Sequence, residues 1–451
     1  MSEPIDNLFS TSEMSSVFSA KAHVRGMLAF EAALAHAEAN AGIIPQEVAN
    51  TIAANCKVEL FDVAALYREA AAAGTPAIPL VRMLTEHVEG DAQKFVHWGA
   101  TSQDAIDTAL MLQMRDGLDL LVDGLLGACA ACATLAEQHR HTLMAGRTLL
   151  QQAVPITFGL KVSRWLALAV RQVYALRERR GRTLAVQLGG AAGTLASLGD
   201  NGLQVVELLA AELGLPVPDL PWHAERDCIA EIAGTLGVVA GAMAKVAGDV
   251  VLLTQTEVGE ALEGAAPGKG GSSAMPQKHN PIDATSAIAS ARLAVGEVPV
   301  IMSAMAQEHE RAAGGWQAEW MAVPNLFRFT ASAVERVRDA VGGLQVDPAR
   351  MRANLDLTGG LIMAESLTMA LALHLGRPEA QRIVKALCDR AVRSGVHLRQ
   401  VALEEVHMQT ILSPEEIDRA FDPGAYLGST DAFIDRALRS YREVQSLGGE
   451  V

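Results

Sequence analysis

The sequence predicts an all-α fold, and three observations support this prediction. Half of the 451 residues are hydrophobic but only 4 % are aromatic, a composition that favours closely packed helices over sheet. Two stretches without proline, residues 80–154 and 227–262, are long enough for very long helices. In the second stretch the apolar residues lie nearly all round the helix, which is typical of a helix buried in a bundle.

Proline, glycine and apolar periodicity divide the chain into three helical domains, residues 1–104, 105–350 and 351–451. In the first domain we expect helices over residues 19–40, 46–54, 62–73 and 80–88. In the second we expect them over residues 105–141, 158–184, 201–213, 227–262, 281–296, 299–311 and 324–341, with a kink at Pro299 and an interruption at 147–155. In the third, breaks are expected at residues 376–378, 413–414 and 422–424.

The charge balance limits the classes of partner. The net charge of −15 argues against nucleic acid, although a local cationic pocket can still bind an anionic substrate. Residues 1–19 contain Glu3, Asp6 and Glu13 and no apolar core, so we expect no signal peptide. No uncharged apolar run approaches the ~20 residues of a membrane span. We therefore expect a cytoplasmic protein that does not bind membranes.

Metal-binding and cofactor-binding patterns are not found. The five cysteines include one isolated C-x-x-C pair, Cys129 and Cys132, in an Ala-rich helix. Without a second pair, buried thiols are a better interpretation than a zinc site. The sequence also contains no H-E-x-x-H motif and no Walker loop. We therefore expect no metal and no organic cofactor.

A glycine-rich stretch with polar residues is the strongest candidate for a functional site. Gly268-Lys269-Gly270-Gly271 precedes Ser272 and Ser273, and Met275, Lys278 and Asn280 follow before Pro281. Glycine lets backbone N–H groups approach a ligand, and successive N–H groups near a helix start suit an anion. Lys278 adds a positive charge and Asn280 adds two donors. The alternative is an ordinary surface loop.

A second candidate lies at the end of the first domain, in His97-Trp98-Gly99-Ala100-Thr101-Ser102-Gln103-Asp104. Thr101 and Asp104 have capping-box spacing, so these residues could simply begin a helix. The hydroxyl groups of Thr101 and Ser102, at a helix N-terminus, could equally bind an anion. The two interpretations are compatible.

Both motifs resemble conserved regions of the fumarase/aspartase superfamily. The string G-S-S-x-M-P-x-K-x-N-P resembles its signature loop, and H-x-G-x-T-S-x-D resembles its first conserved region. The three-part order resembles the whole superfamily chain. This resemblance implies a homotetramer whose central domains form a core of about twenty helices, with each active site shared between subunits. It implies that Ser272, as the proton-transfer serine, and Lys278 are catalytic, and that a small polycarboxylate substrate is bound by the following residues: His97, Thr101, Ser102, Arg147, Thr148, Gln151, Ser273, Met275, Asn280 and Arg311.

One departure from the superfamily narrows the reaction. Residues 148–155 resemble a region that begins with Thr-His in many members, but Leu149 occupies the histidine position. That histidine belongs to the acid side of the lyase reaction, and leucine cannot move a proton. A departing amine or hydroxide needs protonation, whereas a carboxylate, whose conjugate acid has a pKa of about 4, leaves without it. This singles out the lactonisation of 3-carboxy-cis,cis-muconate in protocatechuate breakdown, and the chain here resembles the bacterial carboxymuconate cycloisomerases.

A second departure from the superfamily also favours a small polycarboxylate substrate over a nucleotide. Residues 307–311 match the Q-E-H-E-R of adenylosuccinate lyases, which continue with Ser and Arg residues that bind a nucleotide phosphate. Here Trp316 and Trp320 follow instead, which make a poor phosphate site unless they are simply core residues. His223 and Arg226 are weaker candidates, with capping and ion pairing by Asp227 as the alternative. The alternative functions are an adenylosuccinate-lyase-like C–N lyase that releases fumarate and a non-catalytic helical scaffold.

Overall fold

The computed structural model describes residue 5 and residues 8–264 and 269–447. Gly268 of the glycine-rich stretch lies outside the described residues, as do Glu3 and Asp6, on which the expectation about a signal peptide partly rests. Within these residues the fold is all-α apart from two small two-stranded sheets, which confirms the predicted class.

The N-terminal helices begin and end close to the predicted boundaries, except that the short helix Ser12–Val17 was not predicted. Ser19 caps α2 by accepting a hydrogen bond from the backbone N of Ala22 at 3.1 Å, and Asp62 caps α4 in the same way through Ala65 at 3.0 Å. The last helix of this group begins three residues earlier than predicted. The helices are α1 Ser12–Val17, α2 Ala20–Asn40, α3 Gln46–Asn55, α4 Val63–Ala73 and α5 Ala77–His87.

The central helices are long, but the end of α9, the end of α10 and the start of α11 differ from the prediction by a helical turn or more. α9 ends at Leu253 instead of residue 262, because the backbone N of Glu260 bonds to the carbonyl of Leu253 and folds the chain back. α10 ends at Ala304, so Arg311 lies in a loop. α11 begins at Gly315 and includes Pro324. The helices are α6 Ser102–Gln138, α7 Phe158–Arg182, α8 Gly202–Leu213, α9 Asp227–Leu253, α10 Ile282–Ala304 and α11 Gly315–Gly342.

The C-terminal helices are separated at the predicted breaks. Gly376 ends one helix with φ 76°, and Ser413 with Glu416 forms a complete capping box. Buried Leu, Val and Ile side chains of these helices form one apolar core. The helices are α12 Pro348–Leu355, α13 Ala364–Leu375, α14 Arg377–Ser394, α15 Leu398–Glu404, α16 Val406–Gln409, α17 Pro414–Ala420 and α18 Thr430–Ser446.

The interruption predicted at 147–155 is an antiparallel hairpin of β1 Leu143–Thr148 and β2 Gln151–Thr157. Its base is fixed because Ala145 packs with Leu355, Ile362 and Met363 in a buried cluster. A second pair, β3 Ala261–Leu262 and β4 Gln345–Val346, is shorter.

The chain forms two compact units, each assembled from three separated segments. Unit 1 comprises Met1–Leu125, Gln172–Ala244 and Ser286–Glu335, and unit 2 comprises Leu126–Arg171, Lys245–Thr285 and Arg336–Val451. The division into three domains in chain order stays a prediction.

Three of the described helices, α6, α9 and α10, are long and apolar enough to cross a membrane by length and composition alone. In the apolar 18-residue window of each, only 44 %, 50 % and 33 % of the residues are buried inside the chain. The expectation from the sequence counted only uncharged runs, whereas these windows qualify by their mean hydropathy. Half or more of the residues in each apolar window are therefore not fully buried within one chain.

Candidate active site

In unit 1, the segment of residues 97–104, here called the Thr101 segment, leads into α6. Asp104 accepts hydrogen bonds from the backbone N of Thr101 at 2.9 Å and of Gly189 and Gly190 at 3.0 Å each, and contacts His223 Nε2 at 2.7 Å. The first of these bonds confirms the capping role proposed for Asp104. The buried carboxylate therefore joins the start of the long helix to the glycine-rich loop near residue 190.

Glycine is required where this loop meets the Thr101 segment. Gly190 has φ 67°, and a Cβ atom there would lie 2.9 Å from the carbonyl oxygen of Gly99. Ser197 donates a hydrogen bond to the same oxygen at 3.4 Å. The backbone that presents Thr101 and Ser102 is thus supported from the glycine-rich side.

His97 has a left-handed backbone conformation, with φ 59°. Its Nδ1 lies 2.6 Å from Oε1 of Glu31 on α2, a carboxylate with no exposed surface. A non-glycine residue in this conformation is strained, and such strain persists only where surrounding contacts fix it.

Arg311 lies beside the Thr101 segment although it is distant in sequence. Its Nε donates to Oε1 of Gln103 at 3.1 Å, and its Nη2 donates to the carbonyl of Ala191 at 3.3 Å. Gln103 is itself buried and donates to Asp107 at 3.0 Å. Unit 1 therefore brings His97, Thr101, Ser102 and Arg311 to the start of α6.

The weaker candidates His223 and Arg226 have structural partners. Arg226 is 2 % exposed and forms bidentate pairs with Asp107 at 2.7 and 3.0 Å and with Glu319 at 2.6 and 3.1 Å. Its ion pairs are therefore with these two residues and not with Asp227. The charges of these carboxylates raise the pKa of Arg226 despite its burial. Arg226 therefore has a structural role in the interior of unit 1.

The tryptophans after Arg311 differ in their environments. Trp316 is 4 % exposed and donates from Nε1 to Asp107 at 2.9 Å, which confirms the core interpretation for this residue. Its ring meets the half-buried ring of Trp320 edge to face at 4.9 Å.

In unit 2, residues 269–281 form a closed surface loop, here called the serine loop. The backbone N of Asn280 donates to the carbonyl of Gly270 at 2.9 Å, which closes the neck of the loop. Gly270 has φ 75°, and a Cβ atom there would lie 3.0 Å from the carbonyl oxygen of Asn280. Ser273, Met275 and Lys278 are exposed between these points.

The serine loop is anchored to the start of α10. Glu263 accepts hydrogen bonds from the backbone N of Asp283 at 3.1 Å and of Ala284 at 2.7 Å. Lys269 and Arg336 both pair with the side chain of Asp283, which is 3 % exposed. Burial raises the pKa of Glu263, although its two backbone donors act in the opposite direction.

Ser272 is the half-buried residue at the start of the exposed part of the serine loop. Its Oγ accepts hydrogen bonds from the backbone N of Met275 at 3.1 Å and of Ala274 at 3.4 Å. Two N–H donors directed at one hydroxyl oxygen favour a form of that oxygen with more negative charge. This arrangement is suited to a serine that exchanges a proton.

The hairpin tip is exposed. Leu149 and Leu150 form the turn with φ 49° and 63°, and Leu149 is 98 % exposed. The neighbouring candidates Thr148 and Gln151 are also exposed. Within unit 2, Leu149 is therefore not part of an apolar wall.

Arg147 connects the hairpin to the rest of unit 2 through an ion pair. Its two terminal nitrogens contact the carboxylate of Glu260 at 2.8 and 2.7 Å, and Glu260 has no exposed surface. Asn354 donates to the same carboxylate at 2.8 Å. Arg147 therefore orients the hairpin, and its contact with substrate stays a prediction.

The structure identifies supporting residues that the sequence reasoning missed: Glu31, Gln103, Asp107, Glu260 and Glu319. All are buried polar side chains. A signal existed for Glu31, which shares the apolar face of α2 with Leu34, Ala35 and Glu38 at helical spacing. No group of three or more His, Cys, Asp or Glu side chains that could hold a metal occurs among the described residues.

Comparisons with known proteins give two family matches. Residues 7–296 match the family described as Lyase, and residues 360–437 match the one described as Adenylosuccinate lyase C-terminus.

Individual relatives are similar over nearly the whole chain. The chain is 47 % identical over 436 residues to a 3-carboxy-cis,cis-muconate cycloisomerase of Bradyrhizobium diazoefficiens, which covers 96 % of this chain and 97 % of the relative. It is 46 % identical over 439 residues to the enzyme of that name from Pseudomonas aeruginosa, with 97 % and 96 % covered. The crystal structure of the 3-carboxy-cis,cis-muconate lactonizing enzyme from Pseudomonas putida matches with a TM-score of 0.93 and 41 % identity, covering 98 % of this chain and 100 % of that one.

Proposed function

The chain belongs to the lyase family of the fumarase/aspartase superfamily, and we propose that it is a cofactor-free cycloisomerase that interconverts 3-carboxy-cis,cis-muconate and a carboxymuconolactone. The full-length similarity to cycloisomerases of 46–47 % identity supports this assignment. The observation that carries the proposal is Leu149 at the hairpin tip, where many superfamily members have a histidine. A tip without a proton donor suits a reaction in which a carboxylate leaves or attacks.

Lactone closure forms one carbon–oxygen bond and one carbon–hydrogen bond. In the closing direction, a carboxylate oxygen of the substrate attacks an alkene carbon of the same molecule, and the π electrons move toward the neighbouring carboxylate. The carbon next to the new C–O bond then takes up one proton. No second substrate is consumed, and the opening direction reverses each step.

Ser272 is the proton carrier in this proposal. Its hydroxyl donates the proton to carbon, and the N–H groups of Met275 and Ala274 stabilise the oxygen that remains. Lys278 supplies positive charge for the aci-carboxylate that forms transiently. Ser273, Met275 and Asn280 contribute contacts from the same loop.

The remaining candidates bind the carboxylates of the substrate. The hydroxyl groups of Thr101 and Ser102 lie at the N-terminus of α6, where the helix dipole favours an anion. His97 and Arg311 add positive charge beside them. The hairpin contributes further substrate-binding side chains, those of Arg147, Thr148 and Gln151.

The assembly we propose is a homotetramer with shared active sites, as the superfamily resemblance implies. Its support is that half or more of the residues in the apolar windows of α6, α9 and α10 are not fully buried within one chain. The serine loop and the hairpin tip are also exposed in one chain, as expected for site regions that a neighbouring subunit completes. Such a protein would be cytoplasmic and would bind neither membranes nor nucleic acid. Light scattering without detergent should give about four times the chain mass of 47.6 kDa, and a monomer that requires detergent would contradict the assembly.

The proposal is tested by incubating the purified protein separately with 3-carboxy-cis,cis-muconate and with adenylosuccinate. We expect loss of the diene absorbance in the first reaction and no AMP or fumarate in the second, with full activity after exhaustive chelation. The match of residues 360–437 to the adenylosuccinate lyase C-terminus is the observation in favour of the alternative C–N lyase. Release of AMP and fumarate with an unchanged diene would establish that alternative.

A further inference from the structure

Two buried acids lie on the inner face of α2 in unit 1. Glu31 is 1 % exposed and Glu38 is fully buried, and the second acid follows the first by two helical turns. Neither oxygen of Glu38 has a hydrogen-bond partner among the described residues, and Oε2 of Glu31 also has none. Burial, and then the charge of Glu31, raises the pKa of Glu38 to about 9. Glu38 is therefore a neutral acid at pH 7.

The cationic partner of Glu31 is His97. The Nδ1–Oε1 distance of 2.6 Å is short for a hydrogen bond between a ring nitrogen and a carboxylate, as is typical of a charge-assisted bond. The remaining carboxylate oxygen of Glu31 points to no other donor among the described residues. A buried carboxylate needs such a partner because removing its charge from water is costly.

We propose that Glu31 is a positioning residue that keeps His97 protonated and fixes its ring, so that the imidazolium binds a carboxylate of the substrate. This inference rests on the proposed function, since it assumes that the substrate is a polycarboxylate. Glu31 contacts His97 from behind the Thr101 segment and does not itself contact substrate. With Nδ1 fixed by Glu31, Nε2 is the nitrogen left to donate to a ligand.

The ionisable groups around His97 act together. Burial alone would lower the pKa of His97, but the charge of Glu31, their hydrogen bond and the charge of Asp104 outweigh it and raise the pKa. Asp104 lies on α6 and is itself in contact with His223. The thiol of Cys56 is neutral because burial, together with the charge of Glu31, raises its pKa. The net field at His97 therefore favours the cation.

The raised pKa of His97 sets the direction in which substrate binding depends on pH. A raised pKa keeps His97 charged to a higher pH, and binding through the imidazolium is lost as the pH rises through that pKa. Without the charge of Glu31, the pKa falls and the loss occurs at lower pH. An opposite charge at this distance changes a pKa by about 1–3 units. At a pH above both values, the fraction of imidazolium then falls by about tenfold or more.

The experiment compares the wild-type protein with Glu31→Gln, which keeps a side chain of the same shape and removes the charge. Histidine labelled with ¹³C at Cε1 reports the pKa of each of the 12 histidines, and His97→Asn assigns the resonance of His97. The matched control is Glu212→Gln, because Glu212 pairs with His36 at 3.1 Å on the surface. Steady-state kinetics with 3-carboxy-cis,cis-muconate then separate KM from kcat across the pH range.

For Glu31→Gln we expect a pKa of His97 lower by at least about 1 unit. At a pH above both values, KM should rise by about tenfold or more, with kcat within about threefold. Glu212→Gln should change only the resonance of His36. Glu31→Asp, which retains the charge, should restore most of the pKa and of KM, and unchanged resonances of the other histidines verify the fold.

Failure of this inference and failure of the proposed function give different results. An unchanged pKa of His97 in Glu31→Gln would overturn the inference whether or not the enzyme accepts carboxymuconate. A lowered pKa with unchanged KM would overturn the binding role of His97 while leaving the proposed function intact. A wild-type protein inactive on carboxymuconate would refute the proposed function, and with it the substrate role given to His97, even if the pKa falls.

Discussion

Replacing Ser272 by alanine removes the proposed proton carrier and little else. The Oγ atom accepts from the backbone N of Met275 at 3.1 Å and of Ala274 at 3.4 Å, and both donors belong to an exposed loop where water can replace the lost oxygen. The neck of the loop is closed by the backbone bond between Asn280 and Gly270, which the substitution does not touch. The loop should therefore keep its conformation.

The expected loss is large and specific to kcat. Removing a proton-transfer group typically costs 10²–10⁴-fold, or about 3–5 kcal/mol of transition-state stabilisation. KM should change by less than about threefold, because the substrate carboxylates are bound elsewhere. Ser273→Ala is the matched control. The Ser273 hydroxyl is exposed without a hydrogen bond to any described residue, so we expect a smaller loss.

Initial rates of diene disappearance, measured for both variants at saturating and limiting substrate, test this expectation. Thermal unfolding of both variants should match the wild-type protein within a few degrees. A Ser272→Ala enzyme that keeps more than a tenth of the wild-type kcat would refute the assignment of Ser272 as proton carrier. A larger loss in Ser273→Ala than in Ser272→Ala would assign that role to the second serine.

Three further outcomes are expected. Leu149→His should not raise kcat for cycloisomerisation, because the carboxylate needs no proton; a gain of several-fold would refute the leaving-group argument, and the 98 % exposure of Leu149 means that the unfolding temperature should not change. Mixing inactive Ser272→Ala subunits with inactive Thr101→Val subunits should restore part of the activity once exchange is verified by mass spectrometry, and no recovery after verified exchange would count against shared sites. Arg226→Met should lower the free energy of unfolding by about 3–5 kcal/mol, because it leaves two buried carboxylates unpaired; urea titration against the exposed Arg164→Met measures this, and equal stability of the two variants would contradict it.

The all-α class and most helix positions could be predicted from the sequence because local signals agree with the tertiary packing. Ser19, Asp62 and Ser413 each cap a helix where the pattern predicted a start. The end of α9 was predicted too late, because residues 254–262 contain no proline that would mark the end of a helix. The chain turns there because its backbone bonds to itself and to the strand at residue 346.

The hairpin could not be predicted from local signals. Its turn residues, Leu149 and Leu150, both adopt positive φ, a conformation that usually calls for Asn or Gly. The tertiary contacts of Ala145 and Arg147 hold the strands instead.

In the candidate site, too, local sequence signals predicted some residues, whereas others depend on the tertiary fold. The residues that belong to motifs, such as Thr101, Ser272 and Asn280, could be proposed from the sequence because their spacing is distinctive. Their buried partners were not, because an acid such as Glu31 or Glu319 on a helix is ordinarily exposed, and its pairing with a distant His or Arg depends on the tertiary fold.

The most direct measurement of the central claim is a proton NMR spectrum of the purified protein with 3-carboxy-cis,cis-muconate in D₂O. The account predicts that the alkene proton signals of the diene are replaced by the signals of a lactone carrying a single deuterium on the carbon that receives the proton, at a rate unaffected by chelation. The Ser272→Ala protein should leave the diene unchanged over the same period. Persistence of the diene with the wild-type protein would contradict the account.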